Sequence, residues 1–122
     1  MLLALDTATR NISLALHDGQ AVLAEQTWRS AQHPTAELAP QVALLLLRAG
    51  LQPAGLQAVA VAIGPGSYTG LRIGLGLAKG LALAQAIPLV GVSKASPRLH
   101  PAIKSTETRK KMPAFFRVDA PE

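Results

Sequence analysis

At 122 residues the chain is long enough for one domain with a real core and too short for two. It is 49% hydrophobic and 16% charged and has no cysteine, which excludes a generic disordered polypeptide, disulfides, thiolate catalysis and thiolate metal sites. The net charge of +5 sits at one end: residues 1–93 carry five basic side chains against four acidic ones, and residues 94–122 carry seven against three.

The first segment, Leu2 to Asp6, reads as a short apolar strand. It has no basic stretch before it and reaches an acid at position 6, which argues against a signal peptide. Glycine, lysine or arginine breaks every apolar run well before a membrane-spanning length, so a cytoplasmic protein with no membrane contact is expected. Thr7-Ala8-Thr9-Arg10 is a polar turn. Ile12, Leu14 and Leu16 then alternate with Ser13, Ala15 and His17, the period-two pattern of a half-buried strand. Asp18-Gly19 is a strong hairpin signal, and Ala21 to Trp28 returns as a third strand, so three consecutive antiparallel strands are expected.

A helix is predicted from Pro34, whose missing N–H costs nothing at a first helical position, to Ala49, with Gly50 as the terminator. Pro40 lies inside it and predicts a kink or a late start. Leu38, Val42, Leu45 and Ala49 share one face of the wheel, Leu44 and Leu47 fall well away from it, and only Glu37, Gln41 and Arg48 are polar. A helix apolar around most of its circumference is buried on more than one side. Leu38, Val42 and Leu45 are accordingly candidates for a partner contact.

The apolar run 58–63 is a buried strand. A glycine-rich loop follows, then a helix over residues 69–86, and Pro88 and Gly91 bracket a last short strand at Leu89-Val90. The order β-β-β-α-β-α-β is that of an α/β fold with a mixed five-strand sheet, as in the N-terminal half of actin-like ATPases (the ASKHA, RNase H-like group). After Ser93, Pro97, Pro101, Pro113 and Pro121 interrupt every window, and residues 94–122 read as a mostly unstructured basic tail. Such a tail is either a solvated extension or a nucleic-acid contact.

The loop Gly64-Pro65-Gly66-Ser67-Tyr68-Thr69-Gly70 fits no phosphate-binding template: its spacing is G-x-G-x-x-x-G, and Gly70 is followed by Leu71 rather than lysine. Ser67 lacks the G-x-S-x-G frame of a hydrolase nucleophile. Ser67 or Thr69 is instead suited to cap the helix that follows. That helix carries Gly70, Gly74, Gly76 and Gly80, each costing about 1 kcal/mol relative to alanine. The pairs Gly70/Gly74 and Gly76/Gly80 lie on roughly opposite sides of the wheel. One pair is expected against the sheet or the first helix, and the other either receives a partner protein or is packed internally as well. Asp6-Thr7-Ala8-Thr9 resembles the first phosphate-contact turn of actin-like ATPases, with Asp6, Thr7 and Thr9 as the groups involved; a plain β-turn is the alternative. His17, His33 and His100 lack zinc-ligand spacing, and Trp28 and Tyr68 are isolated, so neither a metal site, a cofactor nor a base-stacking platform is expected.

The stretch from Gly64 to Gly74, including Arg72, resembles the GPGS[FY]TG[LV]RIG signature of the TsaB (YeaZ) family nearly residue for residue. Leu5-Asp6-Thr7-Ala8-Thr9, Leu38-Ala39-Pro40, Gly76 to Ala82 and Pro88 to Ser93 extend the resemblance over residues 1–93. It implies the N-terminal half of an actin-like fold and a non-catalytic scaffold. In that family the scaffold pairs with TsaD, which transfers a threonylcarbamoyl group to adenosine 37 of tRNA, alongside the ATPase TsaE, so that tRNA is met only indirectly. It also implies that the contact uses the helices at 35–49 and 69–86, with a homodimer as the alternative pairing. The family pattern ends at Ser93, and the Pro-rich segment 94–122 departs from it, as in a truncated or frameshifted product. The competing expectations are a degenerate glycoprotease-like hydrolase, for which no nucleophile–base pair is visible, and a small RNA-binding protein acting through the tail.

Overall fold

The computed structural model describes residues 1–30 and 34–93, and the reading of 94–122 as unstructured lies outside them. Eight elements form: β1 Leu2–Asp6, β2 Asn11–His17, β3 Val22–Arg29, α1 Pro34–Arg48, a 3-10 turn at Pro53–Gly55, β4 Ala58–Gly64, α2 Tyr68–Gln85 and β5 Leu89–Ser93. The five strands make one sheet in the order β3-β2-β1-β4-β5. β1 pairs antiparallel with β2, and β2 with β3; β1 pairs parallel with β4, and β4 with β5. The expected mixed sheet and its order along the chain are present.

Side-chain alternation divides the sheet into two unlike faces. Leu3 and Leu5, Ile12, Leu14 and Leu16, and Val59 and Val61 point to the first face, where they form one buried core with Leu38, Val42, Leu45 and Leu46 of α1 and Ala78 of α2. The second face is built from small residues: Ala4, Ala15, Ala60 and Ala62 cluster with Val92, and no residue of either helix belongs to that cluster.

The ends of the elements follow local chemistry. In the β2–β3 hairpin Gly19 adopts φ +99°, and the Asp18 carboxylate accepts the N–H groups of Gln20 at 2.7 Å and Ala21 at 2.8 Å. The Ala21 N–H, followed by that of Gln20, holds the exposed Asp18 carboxyl below its ordinary range. α1 stops at Gly50, at φ +71°, with Leu51 N–H bonded to the Leu46 carbonyl and Gly50 N–H to that of Leu47, a Schellman closure.

α1 starts at Pro34, as expected, and runs through Pro40, which excludes a late start. Pro40 and Ala36 are both exposed, so the carbonyl that loses its helical partner faces water. β5 runs on to Ser93 instead of stopping at Gly91. A Cβ at Gly91 would lie 3.0 Å from Ile63 Cγ2, so glycine here makes room for the neighbouring strand.

Candidate functional site: the signature loop and the two sides of α2

The glycine loop joins β4 to α2 and packs on the turn after β1. Gly64 has φ +129°, which disfavours any residue with a Cβ. The Ser67 N–H donates to the Ala8 carbonyl at 2.8 Å, and the Ser67 hydroxyl accepts the Gly70 N–H at 3.3 Å. Ser67 is thus the N-cap, and α2 opens one residue earlier than expected, at Tyr68. The fully buried Thr7 donates its hydroxyl to the Gly70 carbonyl at 2.6 Å.

The glycines of the signature have steric reasons. A Cβ at Gly66 would collide with the Ala8 carbonyl, one at Gly70 with the Thr7 carbonyl, and one at Gly74 with Thr7 Oγ1. Three glycines therefore let the loop and the first two turns of α2 rest directly on Thr7 and Ala8. Along α2 the buried stripe continues through Gly74, Ala78 and Ala82.

This packing occupies several groups of the turn at Asp6, Thr7 and Thr9 that resembles a phosphate contact. Asp6 and Thr7 are buried. The Ala8 N–H is taken by the Asp6 carboxylate at 2.9 Å, the Thr7 hydroxyl by Gly70, and the Ala8 carbonyl by Ser67. Thr9 is exposed, but its hydroxyl lies 3.2 Å from both the N–H and the carbonyl of Asn11. The Thr7 hydroxyl and the Ala8 N–H are therefore not offered to a phosphate. Among the described residues no group of three His, Cys, Asp or Glu side chains is placed to hold a metal ion.

The opposite side of α2 is a different surface. Nothing lies within 4 Å of a Cβ built at Gly76 or Gly80. The same side carries Thr69, Arg72, Lys79 and Leu83, and Leu83 is 83% exposed. α2 contains no acidic residue, so the charges on this face are all basic. At its N-terminal end Arg72 sits 5.5 Å from the centroid of the Tyr68 ring, and the two border a shallow recess with Thr69 and Ile73.

The structure separates the residues expected at a partner contact. Gly70 and Gly74 face inward onto Thr7, whereas Gly76 and Gly80 face outward. Leu38, Val42 and Leu45 are corrected: all three are buried in the core under the sheet, so their apolar surface is consumed within the chain. On α1 the outward apolar group is Leu47, 73% exposed. Sequence reasoning set Leu47 apart from the inward face without assigning it a role, and it passed over Leu83, which the helical wheel places beside Gly76 and Gly80.

A family model described as TsaD, tRNA N6-adenosine threonylcarbamoyltransferase, matches residues 22–120. The tRNA threonylcarbamoyladenosine biosynthesis protein TsaB of Escherichia coli is 41% identical over 92 residues, covering 75% of this chain and 39% of that protein. A solved structure of YeaZ from Pseudomonas aeruginosa superposes with a TM-score of 0.71 at 38% identity, covering 79% of this chain and 45% of that one. RuvC from Thermus thermophilus, solved with a Holliday junction substrate, superposes with a TM-score of 0.58 at 12% identity over 99% of this chain and 82% of its own, a likeness of fold alone. The chain spans less than half the length of the TsaB and YeaZ relatives it matches.

Proposed function

The chain belongs to the TsaB/YeaZ family, and on that premise we propose that it is a non-catalytic pairing subunit in the biosynthesis of threonylcarbamoyladenosine in tRNA. Its partner is a TsaD-like catalytic subunit acting on adenosine 37, with a TsaE-like ATPase in the same system. When that partner is absent, a second copy of the chain takes its place. tRNA is met through the partner rather than through a base-reading surface of this chain.

The observation that carries this reading is the open side of α2. Gly76 and Gly80 have no neighbour within 4 Å to account for them, although each weakens the helix by about 1 kcal/mol relative to alanine. Small residues on a helix let another backbone approach closely. Here they are flanked by the exposed Leu83 and by two cations, which suits a partner helix with small or apolar residues at its centre and acids at its rim. Leu47 of α1 supplies further exposed apolar area.

The test is co-purification of tagged chain with a TsaD-like protein, alongside circular dichroism. Gly80→Leu and Leu83→Asp are expected to abolish capture at unchanged helicity, whereas Leu45→Asp, in the core, unfolds the chain. Full capture by both outward variants rules this surface out. Purified chain is expected to show neither ATPase nor peptidase turnover; turnover that disappears with Asp6→Ala or Ser67→Ala would overturn the non-catalytic assignment.

A further inference from the structure

The two edge strands of the sheet are unlike. β5, at one edge, has five residues, follows Pro88 and has Gly91 at its centre. β3, at the other, has eight residues and is the longest strand of the sheet. It contains neither proline nor lysine. Its one irregularity lies near its start, where Leu23 is the extra residue between the pairs Leu16–Ala24 and His17–Val22. Among the described residues β2 is its neighbour on one side, and nothing pairs with it on the other. A long, regular edge without a proline, a lysine or a central bulge is a template for another strand.

One contact sets the hydrogen-bond phase of β3. The Ser30 N–H donates to the Arg10 carbonyl at 2.9 Å and continues the register in which Arg29 faces Asn11. In an antiparallel ladder the N–H and C=O of one residue point to the same side, and that side alternates along the strand. Trp28, Gln26 and Ala24 therefore bond to β2, and Arg29, Thr27 and Glu25 turn their backbone groups to the open edge. The side chains alternate too. Gln26 Nε2 donates to Gln41 Oε1 at 2.6 Å and Trp28 Nε1 to Glu37 at 3.2 Å, so these positions face α1. Glu25, Thr27 and Arg29 stand on the other face of the sheet, and all three are exposed.

We propose that the β3 edge pairs antiparallel with β3 of a second copy of the chain, about a two-fold axis at Thr27. The strand is self-complementary in charge about that residue. When Thr27 meets its own counterpart, Glu25 of each copy faces Arg29 of the other. Opposite charges directly across a strand pair stabilise it, and like charges destabilise it. An axis at Glu25 or at Arg29 sets like charges against each other, and an axis at Gln26 or Trp28 pairs neither charge with its opposite. The Thr27 axis also gives the edge N–H and C=O groups of Glu25, Thr27 and Arg29 partners at once. Each copy presents β3 only once, so the contact closes at a dimer with one sheet running through both copies.

The test is sedimentation equilibrium of the full chain carrying Gly80→Leu, which blocks the outer side of α2, so that a dimer seen here does not use the pairing surface proposed above. This chain is expected to pass from monomer to dimer as its concentration rises. Glu25→Arg and Arg29→Glu, added singly, each turn both Glu–Arg pairs from attraction to repulsion and should weaken the dimer about tenfold or more. An equal mixture of the two single variants, and the double variant Glu25→Arg/Arg29→Glu, set opposite charges together again and should recover the parent affinity within about threefold. A Gly80→Leu chain that stays monomeric up to about 1 mM overturns the proposal, whatever covers the edge. Single variants that dimerise like their parent overturn it, and so does a mixture or double variant as weak as the singles. Capture of a TsaD-like partner through α2 is measured separately and decides none of these outcomes.

Discussion

Substituting alanine for the glycines of α2 one at a time separates the two sides of the helix by sign. At Gly76 and Gly80 a methyl group meets nothing within 4 Å, so only the intrinsic term remains: each alanine is expected to stabilise the isolated chain by about 0.8–1 kcal/mol. At Gly74 the same gain is opposed by a collision with Thr7 Oγ1, whose hydroxyl is tied to the Gly70 carbonyl. Overpacking a buried site costs about 1–3 kcal/mol, and weakening the Thr7–Gly70 hydrogen bond about 1 more, so the net effect is a loss of roughly 1–3 kcal/mol. Gly70 and Gly66 meet backbone carbonyls rather than a side chain, so relief requires moving β1 or its turn, and losses of about 2–3 kcal/mol or more are expected. The assay is urea unfolding followed by the single tryptophan, Trp28, which sits in the contact between β3 and α1 and donates to Glu37 at 3.2 Å. It is run at concentrations low enough to keep the chain monomeric, because pairing through the outer face would add a concentration-dependent term. Destabilisation at Gly76 and Gly80 together with neutrality at Gly74 would refute the assignment of inner and outer sides.

Three further outcomes follow from the same geometry. Ala86 closes α2 at φ +53°, a left-handed conformation unfavourable for alanine, so Ala86→Gly is expected to stabilise by about 1 kcal/mol, read as a raised urea midpoint at unchanged m. Ser67→Ala removes the α2 cap and is expected to cost about 1 kcal/mol in the same titration. The lowered carboxyl of Asp18 gives the hairpin a contribution that is complete above the unfolded-state value, near pH 4, and is lost as pH falls through the folded value; Asp18→Asn should flatten that part of the acid limb of stability measured by circular dichroism.

Much of the fold was legible because its signals are local. Period-two alternation over residues 12–17, the Asp18-Gly19 turn, and Pro34 and Gly50 at the ends of α1 each act within a few residues, and the structure places strands, turn and helix there. The candidate site was less legible because its decisive facts are contacts across more than sixty residues. Thr7 reads as a phosphate group when only its neighbours Asp6 and Thr9 are considered; its bond to Gly70, 63 residues away, makes it part of the packing. The wheel of α1 showed an apolar surplus but could not say which side the sheet would take, and Leu38, Val42 and Leu45 turned out to be the inward side. Gly91 read as a strand end because the nearness of the Ile63 side chain, two residues along β4 from its register partner Val61, cannot be weighed before register is known.

The signature loop gains a specific meaning from this packing. A glycine-rich turn between a buried strand and a helix is a common phosphate cradle, since it frees backbone N–H groups at the positive end of the helix dipole. Here the first such N–H, from Ser67, is directed to the Ala8 carbonyl, and the Ser67 side chain takes that of Gly70. The turn that would complete the cradle is pressed against the helix by three missing β-carbons. The arrangement fixes the direction in which α2 leaves the sheet, and that direction presents Gly76, Gly80 and Leu83 to the outside. The inner glycines set the helix on β1, and the outer ones leave its far side low, as the proposed pairing requires. Replacing Thr7 by valine tests the link, since it keeps the shape but deletes the bond to Gly70. A loss of about 1 kcal/mol in urea is expected from the deleted hydrogen bond, together with a loss of partner capture in the proposed pairing assay disproportionate to the fraction unfolded. Capture that falls only in step with the unfolded fraction would show that the inner packing stabilises the chain without orienting its outer face.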